Sequence, residues 1–162
     1  MRISPRLLLP AALAVGPMEC SDSPPLAPTD LDRLDIAEHQ WAARGYTNYS
    51  IDMVHLCDCP PSFRDRARIE VIGGTVQKVT LLGTLAVITD SRKLRYRTVE
   101  DVFRDIRDAN AQGNWQRVTF SLDPVVGLPT YVHWTAKTLV PELELILQIS
   151  NPQPLSSLPL PH

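Results

Sequence analysis

The sequence lacks an excess of charge of either sign, and it lacks any long hydrophobic run. Its 16 lysines and arginines nearly balance 18 aspartates and glutamates, which leaves a formal net charge of -2 at pH 7. Without a basic excess the chain has no bulk electrostatic attraction for nucleic acid, so we expect no nucleic-acid partner. The apolar run at residues 7–15 falls well short of the roughly 20 residues of a membrane-spanning helix. The sequence therefore predicts no transmembrane helix.

The chain also lacks the short motifs that mark many catalytic centres. It contains no Gly-x-Ser-x-Gly nucleophile elbow, no Gly-x-Gly-x-x-Gly, no phosphate-binding loop and no His-Glu-x-x-His. Glu142 and Glu144 form an acidic pair, but they share one face of a predicted strand, where solvation is sufficient to explain them. We therefore expect no enzymatic activity and no cofactor.

Glycine is scarce and proline is abundant, with 7 glycines against 15 prolines. Most prolines lie near the two ends of the chain, and Pro60-Pro61 interrupts its middle. Proline-rich segments favour extended, unpacked backbone. The composition therefore predicts a tether at residues 21–29, a single domain at residues 30–150 and a proline-rich tail at residues 151–162.

The N-terminus has the features of an export signal. Two arginines precede the apolar run of residues 7–15, and Ala12-Leu13-Ala14 offers a small-x-small cleavage site. Residues 1–20 are therefore predicted to be an export signal, with Cys20 as the candidate for lipidation. This predicts a protein of the periplasm, the cell envelope or the extracellular space. The alternative is a cytoplasmic chain that carries a chance apolar run.

Hydrophobic periodicity predicts two helices. The first, at about Leu31–Arg44, has an apolar stripe at helical spacing, and Thr29 or Asp30 is its expected N-cap. The second begins at Thr98-Val-Glu-Asp101, which resembles a capping box. Each helix has one apolar stripe, so both are expected to pack against one face of a sheet. The polar face of the second helix is expected to be solvated.

Alternating patterns predict three strands after each helix. Gly73-Gly74 indicates a two-residue hairpin turn, and a change of parity in the following strand indicates a bulge near Gln77-Lys78. Short loops between consecutive strands make neighbours antiparallel. The predicted fold class is α+β, with a single antiparallel sheet of about six strands, both helices on one face, and the order α-βββ-α-βββ.

The stretch from Tyr49 to Cys59 is predicted to form one strand. Because side chains alternate along a strand, one face is shared by Tyr49, Ile51, Met53, His55, Cys57 and Cys59. Cα atoms two residues apart in a strand are separated by roughly 6.5 Å, near the upper limit for a disulfide. This distance permits a Cys57–Cys59 disulfide, but a strained one. The disulfide is predicted because an exported protein meets an oxidising compartment, and because these two are the only thiols left if Cys20 is lipidated or removed. The alternatives are free or intermolecular thiols, or a redox pair.

The histidine on this face adds a third candidate ligand. His55, Cys57 and Cys59 together offer nitrogen and sulfur atoms that suit zinc or copper(I). A straight strand spreads the two sulfurs, however, whereas zinc sites use a tight turn to bring them onto one ion. No metal site is predicted, although these three residues remain its candidates.

An ordered series of features resembles a known family. The first half contributes Trp41, Tyr49, Cys57-x-Cys59 and Gly74-x-Val76, and the second half contributes Thr98-Val-Glu, Val118-Thr-Phe120, Asp123 and Gly127-x-Pro129. This series resembles the bacterial exported proteins of domain-of-unknown-function family 6174, many of them predicted lipoproteins. The resemblance spans roughly residues 41–149. It implies export and an α+β fold, and it implies no activity.

These patterns leave two classes of function. The first is an exported, non-enzymatic module that binds an unidentified protein or ligand in the cell envelope. Its expected contact surface is the sheet face away from the helices, with Trp134 or Tyr131 in an exposed patch. The second is a small thiol-redox or metal-handling protein that uses Cys57 and Cys59. The basic cluster at residues 92–97 is expected to be a solvated loop rather than a site for anions.

Overall fold

The computed structural model describes residues 26–57, 64–109, 115–137 and 144–156. Within them the helices and strands follow the predicted order: α1 (Pro28–Ala42), β1 (Asn48–Leu56), β2 (Ala67–Ile72), β3 (Thr75–Leu81), α2 (Val99–Asp108), β4 (Trp115–Leu122), β5 (Pro129–Ala136) and β6 (Leu145–Pro154). A short 3-10 helix, Ser91–Arg95, lies between β3 and α2. No helix among the described residues is long and apolar enough to cross a membrane.

The six strands form one antiparallel sheet in the order β3-β2-β1-β6-β5-β4. Each half of the chain is a three-stranded meander, and the pairing of β1 with β6 joins the two halves at the centre of the sheet. The segment that contains α2 runs from one edge strand, β3, to the other, β4. The predicted α+β class with a single antiparallel sheet is confirmed.

The core lies between the two helices and one face of the sheet. The stripe of α2 is completely buried and consists of Val99, Val102, Phe103 and Ile106. The same hydrophobic cluster contains the buried stripe of α1, which is Leu34, Ala37 and Trp41. It also contains the inward residues of β1, which are Tyr49, Ile51 and Met53. Because one strand face contacts both stripes, both helices cover that face, as the periodicity predicted.

The beginning of α1 differs from the prediction. The helix begins at Pro28 instead of Leu31, and its N-cap is Ala27, which offers no side-chain hydrogen bond. The choice of Thr29 or Asp30 as the cap was therefore wrong. Asp30 instead lies in the first turn, where the positive end of the helix dipole stabilises its negative charge.

Three local features of the chain match their predictions. Thr98 Oγ accepts a hydrogen bond from the Asp101 backbone N–H at 3.0 Å, and the Asp101 carboxylate accepts one from the Thr98 N–H at 3.2 Å, which completes the capping box. Gly73 and Gly74 form the hairpin turn with φ of +58° and +72°. The register of β2 and β3 shifts between their paired segments, with Gln77 as the extra residue of the bulge.

The last strand continues beyond its predicted end. β6 reaches Pro154, inside the segment 151–162 that composition assigned to a tail. Asn151 has a positive φ of +55° where the pairing of β6 with β1 is irregular. Asparagine tolerates this left-handed conformation better than most residues. Its side-chain amide also donates to the buried carboxylate of Asp52 at 3.3 Å.

The polar face of α2 contacts protein on two sides, so its description as a solvated face was wrong. The two carboxylate oxygens of Glu100 accept hydrogen bonds from Trp41 Nε1 at 2.8 Å and from the Tyr49 hydroxyl at 2.7 Å. The same hydroxyl accepts the Val99 backbone N–H at 2.9 Å. Arg107 forms ion pairs with two acidic residues of α1. These contacts fix α2 to β1 and to α1.

Candidate functional site

The inward face of β1 changes character toward its end. Tyr49, Ile51 and Met53 are buried under the helices, whereas His55 is half-buried. The strand ends at Leu56, so the predicted extension of this strand to residue 59 is not observed within the described residues. Cys57 is the next residue, half-buried. The helix-covered core therefore stops at about the point where the sequence placed potential ligand atoms.

A cleft of about 370 Å³ opens at this end of the sheet. The sheet contributes the end of β1 and residues of β4, β5 and β6, namely His55, Cys57, Trp115, Trp134, Leu145 and Leu147. The segment before α2 contributes Arg95 and Arg97, and α2 contributes Asp105. Small-molecule sites in proteins have volumes of about 300–1,000 Å³, mostly apolar walls and a few polar groups. The cleft fits that description in size and composition.

Strand pairing brings the floor of the cleft together. His55 lies opposite Leu147 of β6, and Trp134 of β5 lies opposite Leu145 of β6. Directly opposed residues of antiparallel strands share one face of the sheet, so their side chains are neighbours. Leu147 and Trp134 are only 3% and 5% exposed, and they form the deep, apolar part of the cleft.

This position corrects the expectation for Trp134. The residue was expected on the sheet face away from the helices, but it lies on the helix side. Tyr131 does lie on the outer face, where its ring is 6.5 Å from that of His133. His133 Nε2 is buried there and has no hydrogen-bond partner among the described residues; the nearest Glu144 oxygen is 3.8 Å away. The expected pair of aromatic residues is thus divided between the two faces.

Within the part of the chain that the structure describes, two arginines and one aspartate form the charged rim of the cleft. Arg97 Nε lies 3.3 Å from a carboxylate oxygen of Asp105, and the two side chains are 49% and 40% exposed. Burial raises the pKa of Asp105, and the charges of Arg97 and Arg104 lower it in part. Arg95 lines the same rim. Both arginines are exposed, as expected of a solvated loop, and they also line the mouth of the cleft.

His55 connects the floor of the cleft to this rim. Its side chain is hydrogen-bonded to the backbone of Arg95, and its ring meets the buried ring of Tyr96 edge to face at 5.4 Å. Burial lowers the pKa of His55, and the positive charges of Arg95 and Arg97 lower it further. The imidazole is therefore neutral at pH 7, and it holds the arginine-bearing segment against the end of β1.

The cysteine predictions fall mostly outside the described residues. Cys20 and Cys59 both lie outside them. Cys57 is described and is not a free thiol. Among the described residues no group of three or more histidine, cysteine, aspartate or glutamate side chains is placed to hold a metal ion. The Cys57–Cys59 disulfide, the lipidation of Cys20 and a site of His55, Cys57 and Cys59 all stay predictions.

Comparison with known proteins gives one family. The model of a family described as "Family of unknown function (DUF6174)" matches residues 33–154, which is most of the chain. The matched segment contains α1 from residue 33 onward, all of α2 and all six strands, and therefore all the described residues that line the cleft. No curated protein and no solved structure matches the chain.

Proposed function

We propose that this chain, which belongs to the DUF6174 family of unknown function, is a non-enzymatic binding protein of the cell envelope whose ligand occupies the cleft. The family match confirms the resemblance to family 6174 seen in the sequence; it assigns no activity, and export stays a proposal. The observation that carries the proposal is the cleft itself, with two tryptophans and two leucines around a small charged rim. Such a lining gives a ligand apolar contact area and a few groups that orient it.

The polar groups of the cleft favour binding over catalysis. Asp105 is paired with Arg97, His55 is hydrogen-bonded to backbone, and Cys57 is not a free thiol. A general acid or base must exchange a proton with a substrate, and a nucleophile needs an adjacent base. The groups in this cleft instead hold one another in position. The thiol-redox alternative depends on Cys59, outside the described residues, and no observation of the cleft favours it.

Binding in the cleft is tested by filling it. A neutral apolar probe, 2-naphthol, has 11 non-hydrogen atoms, and at roughly 0.3 kcal/mol per atom it should bind with a Kd in the millimolar range or tighter. Its binding to the purified chain is measured by two-dimensional NMR of backbone and indole N–H groups. We expect shifts at Trp115 and Trp134 indole signals, since both residues line the cleft.

Leu145 and Ile146 provide the variant and its control. Both are half-buried neighbours on β6, but Leu145 lines the cleft and Ile146 lies on the opposite face. Leu145→Trp should fill the cleft and abolish binding of the probe, while Ile146→Trp should leave it unchanged. Binding that survives Leu145→Trp and disappears with Ile146→Trp would move the site to the outer face and refute the proposal. So would a wild-type chain that does not bind.

Export and the disulfide belong to the same proposal. The predicted signal at residues 1–20 supports export, and an oxidising compartment would favour a disulfide from Cys57. We propose Cys59 as its partner and Cys20 as the site of lipidation. Intact mass of the protein from its native envelope, followed by peptide mapping, checks all three features. A full-length, unmodified chain with reduced cysteines would contradict export.

A further inference from the structure

We infer that the ligand of this cleft is a small organic monoanion: one carboxylate, or another singly charged acid, on an apolar body. This inference deepens the proposed function and depends on it. It follows from the size of the cleft, from its apolar floor and from the balance of charge on its rim.

The volume limits the size of the ligand. In liquid water each molecule occupies about 30 Å³, so the cleft of about 370 Å³ holds roughly a dozen water-sized groups. A ligand that fills it has on the order of a dozen non-hydrogen atoms. This excludes a folded protein domain as the occupant and favours a compact acid with one ring system or one short chain.

The floor selects an apolar body. Trp115 and Trp134 supply aromatic surface, and Leu145 and Leu147 supply aliphatic surface beside it. Tryptophan contributes a large, rigid contact area and prefers offset-stacked or edge-to-face contacts with another ring. Because Trp134 and Leu147 are almost fully buried, a ligand that reaches them leaves water completely at that end. A ligand that is polar throughout would lose its hydration without replacement there.

The rim selects a single negative charge. Among the described residues that line the cleft, the formal charges are those of Arg95, Arg97 and Asp105, which sum to one positive charge, since His55 is neutral. A guanidinium offers five N–H donors in a planar fork that matches a carboxylate, so Arg97 can bind a second carboxylate beside Asp105. A monoanion neutralises the rim, whereas an ammonium ion would add to its charge.

Asp105 makes this inference sharply testable. Its carboxylate lies 3.3 Å from Arg97, so it competes with an incoming anion for the same guanidinium. Removing the charge of Asp105 should therefore strengthen the binding of an anion. If the ligand instead needed Asp105, or the ion pair that Asp105 forms with Arg97, the same change would weaken binding. Removing the charge of Arg97 should weaken anion binding.

The experiment compares three probes with one naphthalene body: 2-naphthoate, neutral 2-naphthol and cationic 2-naphthylmethylamine. Affinities for the purified chain are measured by NMR titration at pH 7 in low salt. We expect naphthoate to bind about tenfold more tightly than naphthol, because its carboxylate can accept a charge-assisted hydrogen bond from a half-exposed arginine. We expect the amine to bind most weakly.

Variants then assign the preference to the rim. Arg97→Gln should weaken naphthoate binding about tenfold and leave naphthol binding unchanged, which also shows that the variant is folded. Asp105→Asn should strengthen naphthoate binding. Arg117→Gln is the control. Arg117 lies next to the inward Val118 on β4, so its exposed side chain is on the face away from the cleft. Removing its charge should change the binding of neither naphthoate nor naphthol.

The outcomes separate the two proposals. Equal binding of naphthoate and naphthol, or tighter binding of the amine, would overturn the monoanion and leave the binding cleft in place. Weaker naphthoate binding by Asp105→Asn would also overturn it, because it would give Asp105 a role in holding the ligand. Failure of all three probes to bind would overturn the proposed function together with this inference.

Discussion

The hydroxyl group of Tyr49 gives the most direct test of how the helices are held to the sheet. It lies in the core, donates to Glu100 at 2.7 Å and accepts the Val99 N–H at 2.9 Å. Burial, and then Glu100, raise the pKa of Tyr49 far above its ordinary value, so the hydroxyl stays protonated and keeps donating. Tyr49→Phe removes this one oxygen atom and keeps the ring.

The cost of that change can be estimated from its two hydrogen bonds. The bond to the Glu100 carboxylate is charge-assisted and is worth about 1.5–3 kcal/mol, and the bond from the Val99 N–H is worth about 0.5–1.5 kcal/mol. Val99 is the first residue of α2, so its N–H has no partner within the helix. We expect Tyr49→Phe to lower the free energy of unfolding by about 3 kcal/mol, a large part of the total for a small domain.

Urea unfolding at pH 7 measures this loss as a lower midpoint at an unchanged slope. Tyr131→Phe is the matched control, because Tyr131 lies half-buried on the outer face, and it should cost less than about 0.5 kcal/mol. Glu100→Gln should also destabilise, since one amide oxygen replaces the two that accept from Trp41 and Tyr49. The double variant should cost less than the sum, because the two residues share a bond. Equal losses for both tyrosine variants would refute this reasoning.

Two further predictions concern a turn and a titration. Gly127→Ala should destabilise the fold by about 3 kcal/mol or more, because Gly127 has a φ of +75° and an added Cβ would lie 2.1 Å from the Ala37 carbonyl oxygen. Gly83→Ala is the control, because a Cβ added there would have nothing within 4 Å. Equal melting temperatures of the two variants would contradict this packing. The pKa of His55 is lowered in the folded chain, so the unfolded chain binds the proton more readily, and the free energy of unfolding should fall as the pH drops below about 6.5. His55→Gln should flatten that fall. A variant with the same pH profile as the wild type would exclude His55 as its source.

Short-range spacing carried most of the fold prediction. The stripe of α2, its capping box and the turn at Gly73-Gly74 each depend on residues within one or two turns of the chain, and all three are observed. The cap of α1 was missed because Thr29 and Asp30 are good caps wherever they occur, yet the helix begins before both of them. Nothing in their spacing shows that the helix starts earlier.

The cleft was only partly visible in the sequence. His55 and Cys57 were singled out because they end the apolar face of β1, and both do line the cleft. Trp134 was assigned to the wrong face, because alternation shows which residues of β5 share a face and does not show which face is buried. Arg97 and Asp105 gave no signal, since a charged residue in a loop and one on a helix resemble solvated residues until they are seen together.

The sequence by itself determined the order of the elements, the alternation within each strand and the family, because each of these depends on spacing along the chain. The tertiary structure alone decided which residues meet. The ladder between β1 and β6 pairs residues that are 90 to 105 positions apart in the chain and places His55 opposite Leu147. That pairing is chosen by the hydrogen bonds and the burial of the whole sheet, so the cleft exists only once both halves of the chain have folded onto each other.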